Sequence, residues 1–367
     1  MVRIALSIVM LIHGLIHLMG FAKAFKLAEL SQLQQEISRP VGMVWLIAAL
    51  LFLVAIPPFL LRKDWWWMIA AVALILSQIV VVVSWSDAKF GTVANLILLV
   101  PVVSGFGMWN FSRMVEKELG EFLPSSYSEK RIVTQEMISS LPPVVQTWLH
   151  RSHVLGKEIT TTAHLTQRGE MRTTNDGTWM PVGAEQWFTT ERPGFFWSAK
   201  VSAAPGVSMP GRDLYQNGRG HMLIKVFGLV AVADARGSDV DQGAMLRYLA
   251  EMCWFPSAAL REYVQWKQLD SASAEATISF GGATASGIFR FNAEGDISGF
   301  EAKRYYFREG GSTLEDWSVR IEPDGYREFE GVRVGARCSV SWKLKDGEFT
   351  WFRLEITSLQ FNEALAR

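Results

Sequence analysis

Charged and aromatic side chains in the second half of the chain have the types and spacing of a binding site. Arg247 and Glu251 stand four residues apart, so on a helix they share a face and can form an ion pair. Arg212 and Asp213 follow a predicted turn at Met209-Pro210 and can meet that helix. The candidate ligand-binding residues are Arg212, Asp213, Arg219, Arg247, Tyr248, Glu251, Trp254 and Tyr305. The group predicts an anion or head-group site, or alternatively an ion-pair network that anchors a helix to a sheet.

Catalytic motifs are missing from the sequence. It contains no Gly-x-Ser-x-Gly elbow, phosphate-binding loop, dinucleotide glycine fingerprint or His-Glu-x-x-His zinc motif. No nucleophile is paired with a base, so the catalytic residues stay unknown and no cofactor or metal is predicted. The two cysteines, Cys253 and Cys338, are expected to be buried thiols, or a disulfide if the domain faces an oxidising compartment.

A second polar group lies in the apolar N-terminal region. His13 and His17 share one helix face, and Ser77, Gln78 and Asn95 lie within later apolar runs. Polar groups in lipid need partners and usually face the interior of a helix bundle. The two histidines therefore predict either hydrogen bonds between helices or a metal, haem or quinone site.

Four apolar runs must position these polar groups. They cover residues 4–21, 41–61, 65–85 and 92–109, and none contains Lys, Arg, Asp or Glu. Each has about the 20 residues that a membrane-spanning helix needs. The sequence therefore predicts a multi-pass membrane protein, with a short interfacial helix around 25–33. Basic residues divide almost evenly between the two sides, so the side of the soluble domain stays open.

The rest of the chain has the pattern of a soluble α+β domain. We predict a transmembrane domain at 1–112, a helical connector at 113–138 with a break at 124–130, and a β domain at 139–367. Recurring turn signals predict roughly ten antiparallel strands in one large curved sheet. Helices are expected near 142–150 and at 241–253, the latter capped by Asp239 or Asp241. Aromatics on both strand faces predict either two covered faces or a cavity for an apolar ligand.

Charge argues against one class of partner. The 36 basic and 36 acidic residues give a formal net charge of zero, and no basic stripe is present. Nucleic acid is therefore not an expected partner.

Several sequence blocks resemble an uncharacterised bacterial domain family. The resemblance covers about 139–357 and rests on the blocks GEMR at 169, WMP at 179, AEQWF at 184, PGF at 193, GRD at 211, LRYLAE at 246, WFPSA at 254 and YREFEGV at 326. The blocks HGLIHL at 13 and SDAKFG at 86 resemble the membrane half fused to such domains, and this resemblance implies a multi-pass protein of a bacterial plasma (inner) membrane. The domain is also similar to the open half-barrel of periplasmic lipoprotein carriers. That similarity implies lipid binding and an extracytoplasmic position.

Taken together, these patterns predict a membrane-anchored β half-barrel that binds a lipid or other apolar ligand. Two alternatives stay open. One is a structural or assembly module that docks a partner protein, and the other is a redox or quinone-linked membrane enzyme that uses His13 and His17.

Overall fold

The computed structural model describes residues 2–123 and 130–363 of the 367. The chain forms two compact units, Met1–Met114 with Val226–Val230, and Val115–Lys225 with Ala231–Arg367. The predicted break at 124–130 lies, apart from Lys130, outside the described residues.

Helices make up the first unit. Their bounds are α1 Val2–Ala24, α2 Arg39–Leu60, α3 Trp66–Val83, the short α4 Trp85–Ala88, and α5 Gly91–Phe122, which continues into the second unit. Within residues 2–123 and 130–363, four of the helices (α1, α2, α3 and α5) are long and apolar enough to cross a membrane. The interfacial helix expected around 25–33 is wrong. Lys26 has a φ of 55°, which a right-handed helix cannot include, and turns follow it.

The second unit combines short helices with strands. Its helices are α6 Gln135–Ser139, α7 Pro143–Arg151 and α8 Ser238–Glu251, and the 3-10 helices Met252–Trp254 and Pro256–Leu260 follow α8. The expected cap on α8 by Asp239 or Asp241 is wrong, because Gly237 is the N-cap and no side chain bonds there. The Asp241 carboxylate instead accepts hydrogen bonds from the Gly220 amide at 2.7 Å and from Arg219 at 2.8 Å.

The described residues form fifteen strands. Their bounds are β1 Thr162–Met171, β2 Met180–Thr189, β3 Gly194–Ala204, β4 Val207–Gln216, β5 Arg219–Val226, β6 Val230–Ala235, β7 Val264–Asp270, β8 Ser273–Phe280, β9 Ala283–Phe291, β10 Ile297–Arg308, β11 Gly311–Ile321, β12 Tyr326–Phe329, β13 Val332–Gly335, β14 Arg337–Leu344 and β15 Gly347–Phe361. Thirteen of them form one curled antiparallel half-barrel, in the order β6-β5-β4-β3-β2-β1-β15-β14-β11-β10-β9-β8-β7. β12 and β13 pair separately. The predicted fold class, an α-helical region plus an α+β half-barrel, is confirmed.

The prediction of roughly ten strands was too low, and two of the missed strands have clear causes. The stretch predicted as one strand at 332–344 is interrupted at Ala336 and belongs to two sheets, β13 and β14. The predicted turn at Met209-Pro210 is wrong, since both residues lie inside β4 and pair with β3. The real turn is at Pro205-Gly206, where Gly206 takes a φ of 83°.

The two faces of the half-barrel have different neighbours. On the inner face, α8 and the 3-10 helices pack through Tyr248 and Phe255 against Phe188 in a large buried core. On the outer face, Phe196 packs with Phe122 and the apolar residues of the last turns of α5. Because neighbouring strand residues project to opposite faces, each strand contributes to both layers.

Candidate functional site

A cavity of about 430 Å³ lies between the inner face of the half-barrel and α8. Alternate residues of several strands line it, because every second side chain points inward. These side chains include Trp197, Ala199 and Val201 of β3, Met222 and Ile224 of β5, Trp317 and Val319 of β11, and Cys338, Val340 and Trp342 of β14. Gly243, Ala244 and Ala250 of α8 face them. The wall is therefore mostly aromatic and aliphatic, and the small helix residues leave the space open.

A buried ion-pair network lies along one side of this cavity. Arg247 of α8 donates to Asp213 and to Glu251, both at 2.7 Å, and Gln186 donates to Glu251 at 2.7 Å. The Arg247 guanidinium also lies over the rings of Phe195 and, at 5.1 Å, of Trp197. The network connects α8 to β2 and β4, so it holds the helix above the sheet.

Burial perturbs the charged groups of this network. Burial raises the pKa of the Glu251 carboxyl, and the nearby Arg247 opposes the rise. For Arg247, burial lowers the pKa, but the carboxylates of Glu251 and Asp213 outweigh it and raise the pKa above its ordinary value. The three groups are therefore held as a compact ionic cluster, with no nucleophile among them.

A further arginine, Arg304 of β10, also lines the cavity. Its guanidinium lies 4.9 Å from the ring of Trp317 and 5.9 Å from that of Trp342. Burial lowers the pKa of Arg304 to about 10. Sequence reasoning missed this residue. Arg304 stands two residues before Tyr306 in a predicted strand, so the two share a face, and this was the available signal. Nothing in the neighbouring sequence distinguished Arg304 from other arginines.

The predicted cluster is divided between the two faces of the sheet. Asp213 points inward to Arg247, whereas the adjacent Arg212 points outward, as successive strand residues must. There the Arg212 side chain, 1% exposed, lies 2.7 Å from Glu118 of α5 and donates to the His221 carbonyl oxygen at 2.7 Å. His221 in turn lies 2.8 Å from Asp234. Arg212 therefore has a packing role on the outer face.

The remaining predicted residues take different positions. Trp254 and Tyr305 line the cavity, and the Trp254 indole donates to the Gly335 carbonyl oxygen at 2.9 Å. Tyr248 is buried in the core, where its hydroxyl lies 2.9 Å from that of Tyr263, and burial raises its pKa well above the ordinary value. Arg219 is exposed and pairs with Asp241 at the start of α8. The structure thus brings Asp213, Arg247, Glu251, Trp254 and Tyr305 to one cavity. Arg212 borders the same cavity but pairs on the outer face, and Arg219 and Tyr248 lie outside the site.

The two cysteines are free and buried, and both line the cavity. Burial raises the pKa of Cys338 to about 12 and raises that of Cys253 well above its ordinary value. Of the two states that the sequence allowed, the structure has unpaired thiols, which stay protonated near neutral pH.

The polar residues of the long apolar helices form one hydrogen-bonded network in the first unit. His13 Nε2 lies 2.8 Å from Asn95 Oδ1 and 3.1 Å from Ser77 Oγ. Asn95 donates to Gln78 Oε1 at 2.9 Å, and His17 Nδ1 lies 2.7 Å from the carbonyl oxygen of His13. Among the residues that the structure describes, no group of three or more His, Cys, Asp or Glu side chains is placed to hold a metal.

Comparisons with known proteins identify the family of this chain. Residues 131–354 match the model of DUF6544, a family of unknown function, and the chain belongs to that family. No curated protein matches the chain. Among solved structures, a DUF1329 family protein from Desulfovibrio piger is similar, with a TM-score of 0.36 and 7% sequence identity over 64% of this chain and 96% of that one.

Proposed function

We propose that this DUF6544 protein is a membrane-anchored half-barrel that binds a lipid or another apolar ligand in its inner cavity. The observation that carries the proposal is the cavity itself. Its 430 Å³ falls within the range of roughly 300–1,000 Å³ typical of small-molecule sites, and its wall combines apolar side chains with few polar groups.

The lining favours a ligand with a flexible apolar body. Five indole rings contribute to the wall, while Ala199 and Ala250 leave room between them. The rings are those of Trp197, Trp254, Trp317, Trp342 and Trp351. Burying an apolar chain against such a surface is favourable by about 25 cal/mol per Å² of area removed from water. A hydrocarbon chain therefore gains from entry without requiring specific hydrogen bonds along its length.

The four apolar helices support a membrane position for this binding unit. We propose that 1–112 is the membrane domain, 113–138 the connector and 139–367 the ligand-binding domain, in a bacterial plasma membrane. Ligand entering the cavity would then come from, or go to, lipid of the same membrane. No catalytic step is proposed.

A cavity-filling variant tests the proposal. In Val319→Phe, a ring is added to a half-buried wall residue, whereas in the matched control Val232→Phe the same ring is added to an exposed residue of β6. Full-length protein in phosphatidylcholine nanodiscs would be titrated with a dansyl-labelled undecanoic acid, with empty nanodiscs as background. We expect saturable binding that Val319→Phe weakens at least about tenfold and Val232→Phe leaves unchanged.

Two results would contradict lipid binding. One is a wild-type protein that shows no saturable binding above empty nanodiscs and carries no lipid in native mass spectrometry. The other is equal binding by both variants, which would place the probe outside the cavity. Either result would favour the alternative in which the domain docks a partner protein.

The side of the membrane needs a separate measurement. Lys345 lies in the exposed turn between β14 and β15, so Lys345→Cys gives an accessible thiol. Labelling of intact cells by an impermeant maleimide would place the binding domain outside the cytoplasm. Labelling that occurs solely after permeabilisation would place the domain inside.

A further inference from the structure

Arginines border the cavity at four positions in the described part of the chain, and three of them have acceptors. Arg172 donates to the carbonyl oxygen of Thr350 at 2.7 Å, Arg212 pairs with Glu118 on the outer face, and Arg247 pairs with Asp213 and Glu251. Arg304 is different. Among residues 2–123 and 130–363, no oxygen accepts a hydrogen bond from its guanidinium and no carboxylate lies within 4.0 Å of it.

Three carboxylates around Arg304 are already engaged. Glu315 lies directly opposite Arg304 across the β10–β11 pair, so both side chains project to the same face. The Glu315 carboxylate instead accepts hydrogen bonds from Arg308 at 2.8 Å and from the Thr313 hydroxyl at 2.9 Å. Asp213 and Glu251 are held by Arg247. The fold therefore leaves the five N–H donors of Arg304 without an acceptor inside the protein.

The surroundings fix Arg304 in the cavity. Its guanidinium lies over the rings of Trp317 and Trp342, and α8 approaches it at Gly243. A Cβ added at Gly243 would lie 3.0 Å from the Arg304 Nε, so the absence of a side chain there leaves the guanidinium its space. Glycine inside a helix costs about 1 kcal/mol of stability relative to alanine. At Gly243 this cost is accompanied by the room that the Arg304 guanidinium occupies.

An unpaired guanidinium in an apolar wall is costly unless something accepts its hydrogen bonds. Burial lowers the pKa of Arg304 to about 10, yet the group stays charged at neutral pH. Hydrogen bonds between an ionised donor and an ionised acceptor are the strong ones, and a guanidinium matches carboxylate and phosphate oxygens in geometry. A ligand with such a group would supply the acceptor that the chain lacks.

We propose that the ligand is an acidic amphiphile, whose apolar chain lies against the tryptophans and whose carboxylate or phosphate accepts hydrogen bonds from Arg304. The inference rests on the proposed binding function and specifies its ligand class. A fatty acid and an acidic phospholipid share this chemistry, and a neutral lipid does not.

The test compares an acid with its own methyl ester. Full-length protein in phosphatidylcholine nanodiscs would be titrated with dansyl-labelled undecanoic acid and with the methyl ester of the same probe. We expect the wild type to bind the acid at least about tenfold more tightly, a difference of 1.4 kcal/mol. Arg304→Gln is expected to abolish the preference while ester binding persists, and Arg304→Lys to keep part of it. The matched control Arg290→Gln changes an arginine of the neighbouring strand β9 that does not line the cavity and whose partner Glu301 is also held by Lys343, and it is expected to keep the full preference.

Each outcome has a distinct meaning. Equal wild-type affinities for acid and ester would overturn the role of Arg304 and leave apolar binding intact, whereas no binding of either probe would overturn both proposals. This wild-type comparison needs no variant, so it holds even if Arg304→Gln does not fold. An undiminished acid preference in folded Arg304→Gln would also overturn the inference. Displacement of the acid probe by oleate but not by phosphatidylglycerol would identify a carboxylate source, and the reverse would identify an acidic phospholipid.

Discussion

Removal of the Arg247 guanidinium is expected to destabilise the half-barrel strongly, and removal of the Arg219 guanidinium is not. Both arginines lie within 2.8 Å of a carboxylate, so distance alone predicts equal effects. Their environments differ, because the Arg247 side chain is 15% exposed and that of Arg219 is 82% exposed. The pair of substitutions Arg247→Met and Arg219→Met therefore separates the effect of burial from the effect of contact.

The magnitudes follow from what each change leaves behind. Arg247→Met leaves Asp213 and Glu251, 13% and 12% exposed, without their cation. Removing one partner of a buried ion pair typically costs about 3–5 kcal/mol. Arg219→Met removes a cation that is 82% exposed, and the Asp241 carboxylate that it leaves, although 9% exposed, keeps its hydrogen bond from the Gly220 amide at 2.7 Å, so the expected cost is less than about 1 kcal/mol. For a unit of this size, these values correspond to falls in Tm of about 6–20 °C and of less than about 4 °C.

Thermal unfolding of the full-length protein in detergent would measure both variants, and hydrogen–deuterium exchange would show whether α8 is the element that loosens. A loss below about 1 kcal/mol in Arg247→Met, or equal losses in the two variants, would refute the reasoning that burial sets the cost. The triple variant Asp213→Asn/Glu251→Gln/Arg247→Met is the control. It removes the unpaired charges, so it should recover much of the loss.

Three further predictions follow from the same contacts. The deficit of Arg247→Met should shrink when the pH falls from about 8 to about 5. Burial raises the folded-state pKa of Glu251 and Arg247 opposes that rise, so removing Arg247 should raise this pKa further. A carboxyl with a raised folded-state pKa contributes most stability at low pH and loses it as pH rises through that pKa, so the variant should gain more than the wild type on acidification. Melting curves that keep the same gap from wild type across this range would contradict it. Gly243→Ala should leave Tm unchanged or slightly raised, since alanine favours the helix by about 1 kcal/mol. The same substitution should reduce the preference for the acid probe, because the added methyl group displaces Arg304. An unchanged ratio of acid to ester affinity would count against this contact. The two buried cysteines should react with iodoacetamide in denaturant but not in the native protein, because the thiolate is the reactive form and burial disfavours it. Rapid labelling of the native protein, measured by mass spectrometry, would contradict this and show that the cavity exposes the thiols.

The general architecture could be predicted from the sequence because its signals are local. Runs of about twenty apolar residues define spanning helices wherever they occur, and turn dipeptides such as Asn217-Gly218 mark hairpins directly. Asn217 and Gly218 do adopt positive φ angles of 52° and 77° between β4 and β5. Predicting these elements required no knowledge of distant contacts.

The site was harder to predict because strand register decides it. Placing a turn at Met209-Pro210 hid the fact that Arg212 and Asp213 belong to one strand, so their opposite directions were not recognised. Arg304 shows a different limit. Its lack of a partner depends on Glu315 bonding to Arg308 instead, a choice between two arginines that only the three-dimensional packing determines.

The pairing of β1 with β15 constrains how this protein can be made. Ala163 lies opposite Phe361, so the middle of the half-barrel joins segments separated by almost the whole second unit. Contacts this distant in sequence form late, and during synthesis one edge of β1 stays unpaired until β15 leaves the ribosome. Unpaired edges invite pairing with other chains, so the nascent protein is exposed to aggregation for as long as β15 is missing. Deletion of β15 should therefore damage the centre of the sheet rather than its margin.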